Sequence, residues 1–272
     1  MQTLDEVVKE CPEWFHSIEL GPNLVTPGRK SPEVLNRELS SLKLPDLHGK
    51  SVLDVGAYDG FFSFAAERLG ASRVVALDHY VWSVDMTAYM ADWRASKQTG
   101  TTLPQPSESR HFRPQELPGR KPFDLARRLR ESQVEPVVGD FMSMDLAPLG
   151  QFDVVFFLGV LYHLEEPLAA ARRLRSLVAP GGLAVIETEA MEVAGLGDRA
   201  YCEFFPGQEL NNDASNWWSP NAKALEGLFR AAGFREATVF NRATPSLSSS
   251  IKGWIAGELP AKRYRAFAHA LA

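Results

Sequence analysis

The sequence predicts an α/β fold: a mostly parallel sheet with helices on both faces, behind a helical N-terminal element. Two observations carry that expectation. Short apolar runs of strand length alternate with segments of helical period, the pattern of parallel strands joined by crossover helices. The residues with chemistry in them fall at the carboxyl ends of those runs, where open α/β sheets bind ligands. They are Asp54 to Gly60, Asp78, Asp140-Phe141, Gly159 to His163, and Glu187.

Residues 1–48 read as a helical cap. Trp14, Phe15, Ile18 and Leu20 cluster before the break Gly21-Pro22-Asn23, and Ser31-Pro32 supplies an N-cap and first-turn proline for a helix to about Leu42. A single domain is expected over 49–258. Its first strand is 51–55, closed by Gly56, and a helix follows with Phe61, Phe64, Ala65, Arg68 and Leu69 on one face and Gly70 at its end. A strand at 73–77 ends on Asp78. Residues 96–122 are rich in Pro, Ser, Gln and Arg and read as an insertion or lid. A helix at 123–130, strands at 134–138 and 153–158, a helix at 167–178 and a strand at 183–186 continue the alternation. A second irregular stretch covers 190–219. Beyond it come a helix at 220–232 capped by Ser219, strands at 235–240 and 251–256, and a tail at 259–272.

Composition narrows the function. The 272 residues are 45% hydrophobic and 23% charged, enough for one large domain with a real core. Lys plus Arg is 29 against 34 Asp plus Glu, a net charge of −5. That balance argues against a broad electrostatic grip on nucleic acid, while leaving room for recognition of one small RNA feature. Cys11 and Cys202 alone make neither a disulfide framework nor a zinc site, so no metal is expected. The opening MQTLDEVVKE has no signal-peptide core, and no run approaches the roughly 18 apolar residues of a membrane span. A cytoplasmic protein without a membrane partner is expected. Its oligomeric state is not written in the sequence.

At the first strand end, Gly56 and Gly60 are spaced G-x-x-x-G, with Ala57 and Tyr58 between them. Glycines there let backbone approach a ligand. A dinucleotide loop would want a glycine at 58, which Tyr58 denies. Asp54 lies inside the strand, where a carboxylate needs a partner; a cationic ligand group or backbone amides would serve. Asp78 can accept from both hydroxyls of a ribose, or cap a helix. Asp140 can accept from an adenine amino group with Phe141 or Met142 on the ring, or simply close a Gly-Asp turn.

Val52 to Gly60, Ala76-Leu77-Asp78, Gly139-Asp140-Phe141 and Phe152-Asp153-Val154-Val155 together resemble the class I S-adenosylmethionine-dependent methyltransferases, over about residues 50 to 190. Leu158-Gly159-Val160-Leu161-Tyr162-His163-Leu164 is similar to the branch that includes the tRNA wobble-uridine carboxymethyltransferases. Phe15-His16-Ser17-Ile18-Glu19-Leu20, Thr26-Pro27-Gly28 and Asn211 to Trp218 look like uncharacterised members of that branch. The resemblance implies a Rossmann-like, seven-stranded sheet and S-adenosyl-L-methionine as cofactor. It implies that Gly56, Asp78 with His79, Asp140, Phe141, Leu158 and the adjoining Gly159 line that cofactor, and that Tyr162 reaches its reactive end. Carboxymethyl-transferring relatives carry a basic residue in the N-terminal element to hold an extra carboxylate. Here that stretch reads Trp-Phe-His-Ser-Ile-Glu, which favours plain methyl transfer, and the tRNA substrate is not inherited.

Methyl transfer from a sulfonium is an in-line displacement, in which protein supplies orientation and excludes water. A base is needed only where the acceptor must lose a proton. His163 is one candidate, although it could instead cap the next helix or bond Glu165 or Glu166. Glu187 is the other, as base or as a partner orienting His163, with Glu189 in its place if the register shifts. Trp217, Trp218, Phe204, Phe205 and Tyr201 could form a wall for a flat acceptor or seal the core. His16 could cover the ligands or merely pack. Arg110, Arg113, Arg120, Lys121, Arg127, Arg128 and Arg130 could hold an anion or form a solvated face. The function expected is methylation of a small aromatic or heterocyclic acceptor. The alternatives are a tRNA wobble-uridine methyl- or carboxymethyltransferase and a non-catalytic nucleotide-binding module.

Overall fold

The computed structural model describes residues 2–101, 103–196, 198–244 and 261–272. Seven strands form one mostly parallel sheet, as expected. The chain divides into two compact units, Met1–Leu146 and Ala147–Ala272.

The first unit begins with α1 (Leu4–Glu10), held by a capping box between Thr3 and Glu6. A small hairpin follows, β1 (Glu19–Gly21) and β2 (Leu24–Val25), and then α2 (Pro32–Ser41), whose N-cap Ser31 accepts from the Val34 amide. The N-terminal element is therefore part helix and part hairpin, not wholly helical. Strand β3 (Ser51–Val55), helix α3 (Phe61–Arg68) and strand β4 (Arg73–Asp78) repeat the predicted alternation. Helix α4 (Met86–Thr99) was not expected; only Met90 and Ser96 of its residues are buried, so it carries little apolar periodicity to read. The irregular insertion accordingly begins near residue 100. Helix α5 (Lys121–Leu129) and strand β5 (Glu135–Val138) complete the unit. Strands β3, β4 and β5 are parallel, with Val55 opposite Leu77 and Leu77 opposite Val137. Parallel pairing brings their carboxyl ends to one rim, and the loops there hold the first group of predicted residues.

The second unit opens with β6 (Phe152–Leu158), α6 (Pro167–Leu177) and β7 (Val178–Val193). β6 is buried along Val154–Phe157, as a strand covered on both faces must be. A short hairpin, β8 (Cys202–Phe204) with β9 (Trp218–Pro220), organises the stretch expected to be irregular. Helix α7 (Ala222–Ala231) is capped by Asn221, two residues beyond the expected Ser219. Strands β10 (Glu236–Val239) and β11 (Ala261–Leu271) end the chain. The expected tail is in fact β11, antiparallel to both β10 and β7. Its pairing runs from Leu183 to Val193, which explains why β7 outlasts the predicted 183–186. The inward positions of β11 are Ala266, Ala268 and Ala270, and alanine is a poor strand signal. The strand expected at 251–256 lies outside the described residues.

Candidate functional site

The loop after β3 makes two sharp turns without a glycine between them. Gly56 has φ +79°, Tyr58 +54° and Gly60 +90°. Gly56 is exposed at the rim, and its amide donates to the Leu77 carbonyl at 2.8 Å. Gly60 has a different reason to be glycine. It is buried, and a Cβ would come within 2.6–2.9 Å of the Phe64 and Phe123 rings, so its missing side chain admits core packing rather than a ligand. Tyr58 bears about 1–2 kcal/mol for its left-handed backbone. Its amide donates to Asp78 at 2.9 Å, its carbonyl accepts from the Trp82 indole at 2.6 Å, and its ring stacks on Phe15 at 4.8 Å.

Three carboxylates lie under and around this loop. Asp54 is 2% exposed and accepts from the Ser63 hydroxyl on α3 at 2.6 Å, with the Ser63 amide adding to it, so the backbone alternative of the sequence reading holds in part and a side-chain hydroxyl supplies the rest. Burial raises its pKa to about 6. Asp78, also raised to about 6 by burial, accepts from the Tyr58 and Val81 amides, one on each oxygen. The Trp82 and His79 amides also favour its ionised form, so backbone donors of the turn already face a carboxylate with about four acceptor sites. The turn-capping reading of Asp78 accounts for these donors. Asp59, which sequence reasoning passed over, is 1% exposed and accepts from the Phe15 and His16 amides at 3.0 and 2.8 Å and meets His16 Nδ1 at 2.5 Å. His16 is therefore fixed by Asp59 and packed between Phe61 and Phe62, not turned toward a substrate. The Thr26-Pro27-Gly28 turn clamps the same segment: Thr26 donates to the His16 carbonyl, and a Cβ on Gly28 would lie 2.1 Å from the His16 carbonyl carbon.

At the next strand ends, His79 meets Phe112 edge-on, and Asp140 is exposed. Both Asp140 oxygens serve their own turn, accepting from the Met142 amide and the Ser143 hydroxyl, while Phe141 is buried beneath.

In the second unit the loop after β6 turns at Gly159, φ +72°. Its amide donates to the Glu187 carbonyl, and a Cβ would sit 3.4 Å from Glu187 Oε2 and 3.5 Å from the Tyr162 hydroxyl. Gly159, Tyr162 and Glu187 therefore converge, beside a half-buried Leu158. Burial first, and Glu187 and Glu189 next, push the Tyr162 phenol up, so it stays a neutral donor. Arg265 of β11 sits 3.4 Å from Glu187 and 3.9 Å from Glu189. His163 is oriented by Ser215, not by Glu187: Nδ1 lies 3.0 Å from the Ser215 carbonyl oxygen and 2.9 Å from its hydroxyl. Trp217 donates its amide to the Tyr162 carbonyl at 2.8 Å, and Trp218 its indole to the Leu164 carbonyl at 3.1 Å. Phe204, half exposed, stacks parallel to Trp217 and packs on Trp218. Tyr201 departs from the expected wall. Its hydroxyl accepts from the Val193 amide, and its ring packs with Phe205 on a small core of Met191 and Leu210. Sequence reasoning singled out the Asn211 to Trp218 stretch without giving Asp213 or Ser215 a role, and it passed over Arg265. The first two stand in an Asp-x-Ser turn whose signature is legible in hindsight, and the third was hidden in the supposed tail.

Against known families, residues 28–238 match the model of the methyltransferase domain. The chain belongs to the methyltransferase-domain family. A tRNA U34 carboxymethyltransferase of Idiomarina loihiensis is 28% identical over 219 residues, covering 79% of this chain and 55% of that protein. One of Campylobacter hominis is 24% identical over 216 residues, covering 78% and 60%. The chain spans about half the length of the curated relatives it matches. Among solved structures, the N-terminal domain of EvdMO1, crystallised with S-adenosylhomocysteine and D-fucose, superposes with TM-score 0.61 at 17% identity, over 100% of this chain and 98% of that one. Phosphoethanolamine N-methyltransferase 2 of Haemonchus contortus, in complex with S-adenosylmethionine, gives 0.55 at 16%, over 90% and 54%. These show the fold.

The donor set of this chain fits the cofactor that membership of the methyltransferase-domain family implies. The exposed Gly56 backbone and a buried carboxylate at the next strand end suit a nucleoside with a diol. The cationic cluster of the insertion is largely neutralised by its own surroundings. Arg110 pairs with Asp92, Arg113 with Asp85 and Glu116, Arg120 with Asp124, and Arg128 with Glu10; Arg127 and Arg130 donate to carbonyls. No helix among the described residues is long and apolar enough to cross a membrane.

Proposed function

We propose that this methyltransferase binds S-adenosylmethionine at the β3 and β4 strand ends and methylates a small acceptor with a flat ring. The observation that carries the reading is Asp78. Its carboxylate is buried at a strand end and held by the amides of its own turn, the position from which a carboxylate would meet a ribose diol. When bound, the cofactor supplies the activated methyl group. In the proposal Gly56, Ala57 and Tyr58 present the loop, with Asp54, Gly60 and Asp59 shaping it from below. His79, Asp140, Phe141, Leu158, Gly159 and Tyr162 are the further cofactor contacts that the family resemblance supports. Trp217 and Trp218 face the acceptor's ring, and His163 takes its proton. Glu187 holds Arg265 and keeps the neutral phenol of Tyr162 a donor, a supporting role.

Calorimetry with S-adenosylhomocysteine, followed by transfer of labelled methyl to fractionated extract and mass spectrometry, tests the reading. His163→Ala should lower turnover at least about 10²-fold while cofactor binding survives. Absence of cofactor binding by the wild type would refute the assignment. The names of the relatives favour one second reading, modification of a tRNA uridine. Labelled nucleosides in digested tRNA, with binding that weakens steeply with salt, would establish it instead.

A further inference from the structure

The contacts of His163 decide which of its nitrogens carries the proton. A carbonyl oxygen only accepts, so the 3.0 Å contact to the Ser215 carbonyl requires hydrogen on Nδ1. The Ser215 hydroxyl lies 2.7 Å from Asp213 Oδ1 and donates there, which turns an oxygen lone pair toward Nδ1 at 2.9 Å. The Ser215 amide also donates to Asp213 Oδ1, at 2.9 Å. One carboxylate thus holds Ser215 by side chain and main chain, and Ser215 holds the imidazole at two points. Nε2 is left with the lone pair. Burial lowers the pKa of this imidazole, which leaves it neutral with a free lone pair at neutral pH, while Asp213 is the charged group that opposes the shift.

We infer that Asp213 and Ser215 are positioning residues that make His163 Nε2 a proton acceptor, and that the substrate is methylated on a hydroxyl oxygen of phenol or enol type. The inference rests on the methyltransferase reading above and deepens it. A thioether or tertiary amine has no proton to give, and a base fixed in one tautomer would be idle there. A phenol, with an ordinary pKa near 10, lies within reach of a histidine base, and a flat ring suits Trp217 and Trp218. In the step, His163 Nε2 takes the hydroxyl proton as the oxygen's electron pair forms the new O–CH3 bond. The S–CH3 bond breaks and sulfur keeps its pair. The products are the methyl ether, S-adenosylhomocysteine and an imidazolium, which then returns its proton to water. The Ser215 carbonyl and, through the hydroxyl, Asp213 stabilise that imidazolium, much as an orienting carboxylate does for a catalytic histidine.

The test is nitrogen-15 NMR of ring-labelled histidine in the wild type, Asp213→Asn, Ser215→Ala and Ser215→Thr, with methyl transfer to a panel of phenols, amines and thiols. The wild type should show His163 protonated on Nδ1 at neutral pH. Asp213→Asn and Ser215→Ala keep the Ser215 carbonyl but loosen its hold on the ring, so they should mix in the Nε2-protonated tautomer and lose roughly 10-fold or more of kcat on phenols, with KM and S-adenosylhomocysteine affinity little changed. Ser215→Thr, which keeps the hydroxyl, should recover both. A wild-type proton on Nε2, a tautomer unchanged in both disruptive variants, or a preference for amines or thiols over phenols would overturn the inference. Failure to bind S-adenosylhomocysteine would instead overturn the methyltransferase reading, since the tautomer is read without cofactor.

Discussion

Asp54 and Asp78 are carboxylates that folding makes harder to ionise. Each has its pKa raised by burial to about 6, against about 4 in an unfolded chain. Between those values the native state binds protons that the unfolded state has released, so this contribution to stability falls as pH rises from about 4 to about 6. Asp54→Asn keeps an acceptor for Ser63 but removes the charge. The variant should therefore gain on the wild type over that interval, by up to about 3 kcal/mol at neutral pH, in melts of the cofactor-free protein followed by circular dichroism. Asp78 adds a consequence for binding. Ribose hydroxyls donated to its carboxylate favour the ionised form, so S-adenosylhomocysteine affinity should fall below pH 6, by at most about tenfold per unit. Calorimetry across pH 5 to 7 checks this, and Asp78→Asn should bind more weakly without the slope. At the same scale, Gly28→Ala drives a methyl into the His16 main chain and should unseat the Asp59–His16 lock. A drop in melting temperature is the readout.

Among the elements, the start of α7 separates two neighbouring polar residues. Asn221 Oδ1 accepts from the Ala224 amide at 2.9 Å and the Tyr201 amide at 3.2 Å, and its Nδ2 donates to the Arg199 carbonyl at 2.9 Å. Ser219, also buried, has a hydroxyl with no hydrogen-bond partner among the described residues. Asn221→Ala should cost about 2–4 kcal/mol, a lost cap plus two buried groups left wanting. Ser219→Ala should be neutral or stabilising, because it removes a desolvated hydroxyl that bonds nothing. Denaturant melts of the two variants make the comparison, and equal losses would contradict it. β11 is the other instructive element. Ala268 is 1% exposed and paired opposite Ile186 and Val239. Sequence periodicity failed there because the buried positions of the strand, Ala266, Ala268 and Ala270, carry only methyl groups, and failed at α4 because that helix buries almost nothing.

Over the whole molecule, a net charge of −5 and an insertion whose arginines are mostly engaged weaken the case for an extended phosphate-binding face. Filter binding of bulk tRNA should show no more than non-specific affinity, with Kd weaker than about 10⁻⁶ M at physiological salt. Nanomolar binding with a steep salt slope would favour the uridine reading suggested by the relatives' names.

The strand ends were legible because parallel pairing and the ligand rim leave a pattern in one dimension: apolar run, glycine, acid. That pattern predicted the fold class, which the seven-stranded sheet and the family match bear out, and it put Gly56, Asp78 and Gly159 at strand ends. It could not show what each residue does, because that depends on neighbours distant in the chain. Only the tertiary structure decided that Gly60 is empty for two phenylalanines, that Asp54 answers to Ser63, and that Asp59 reaches back 43 residues to His16. It alone brought Ser215 across 52 residues to His163. Hydrophobic periodicity is a local signal. A buried polar group is satisfied by whatever the fold brings within 3 Å, and no spacing rule records that.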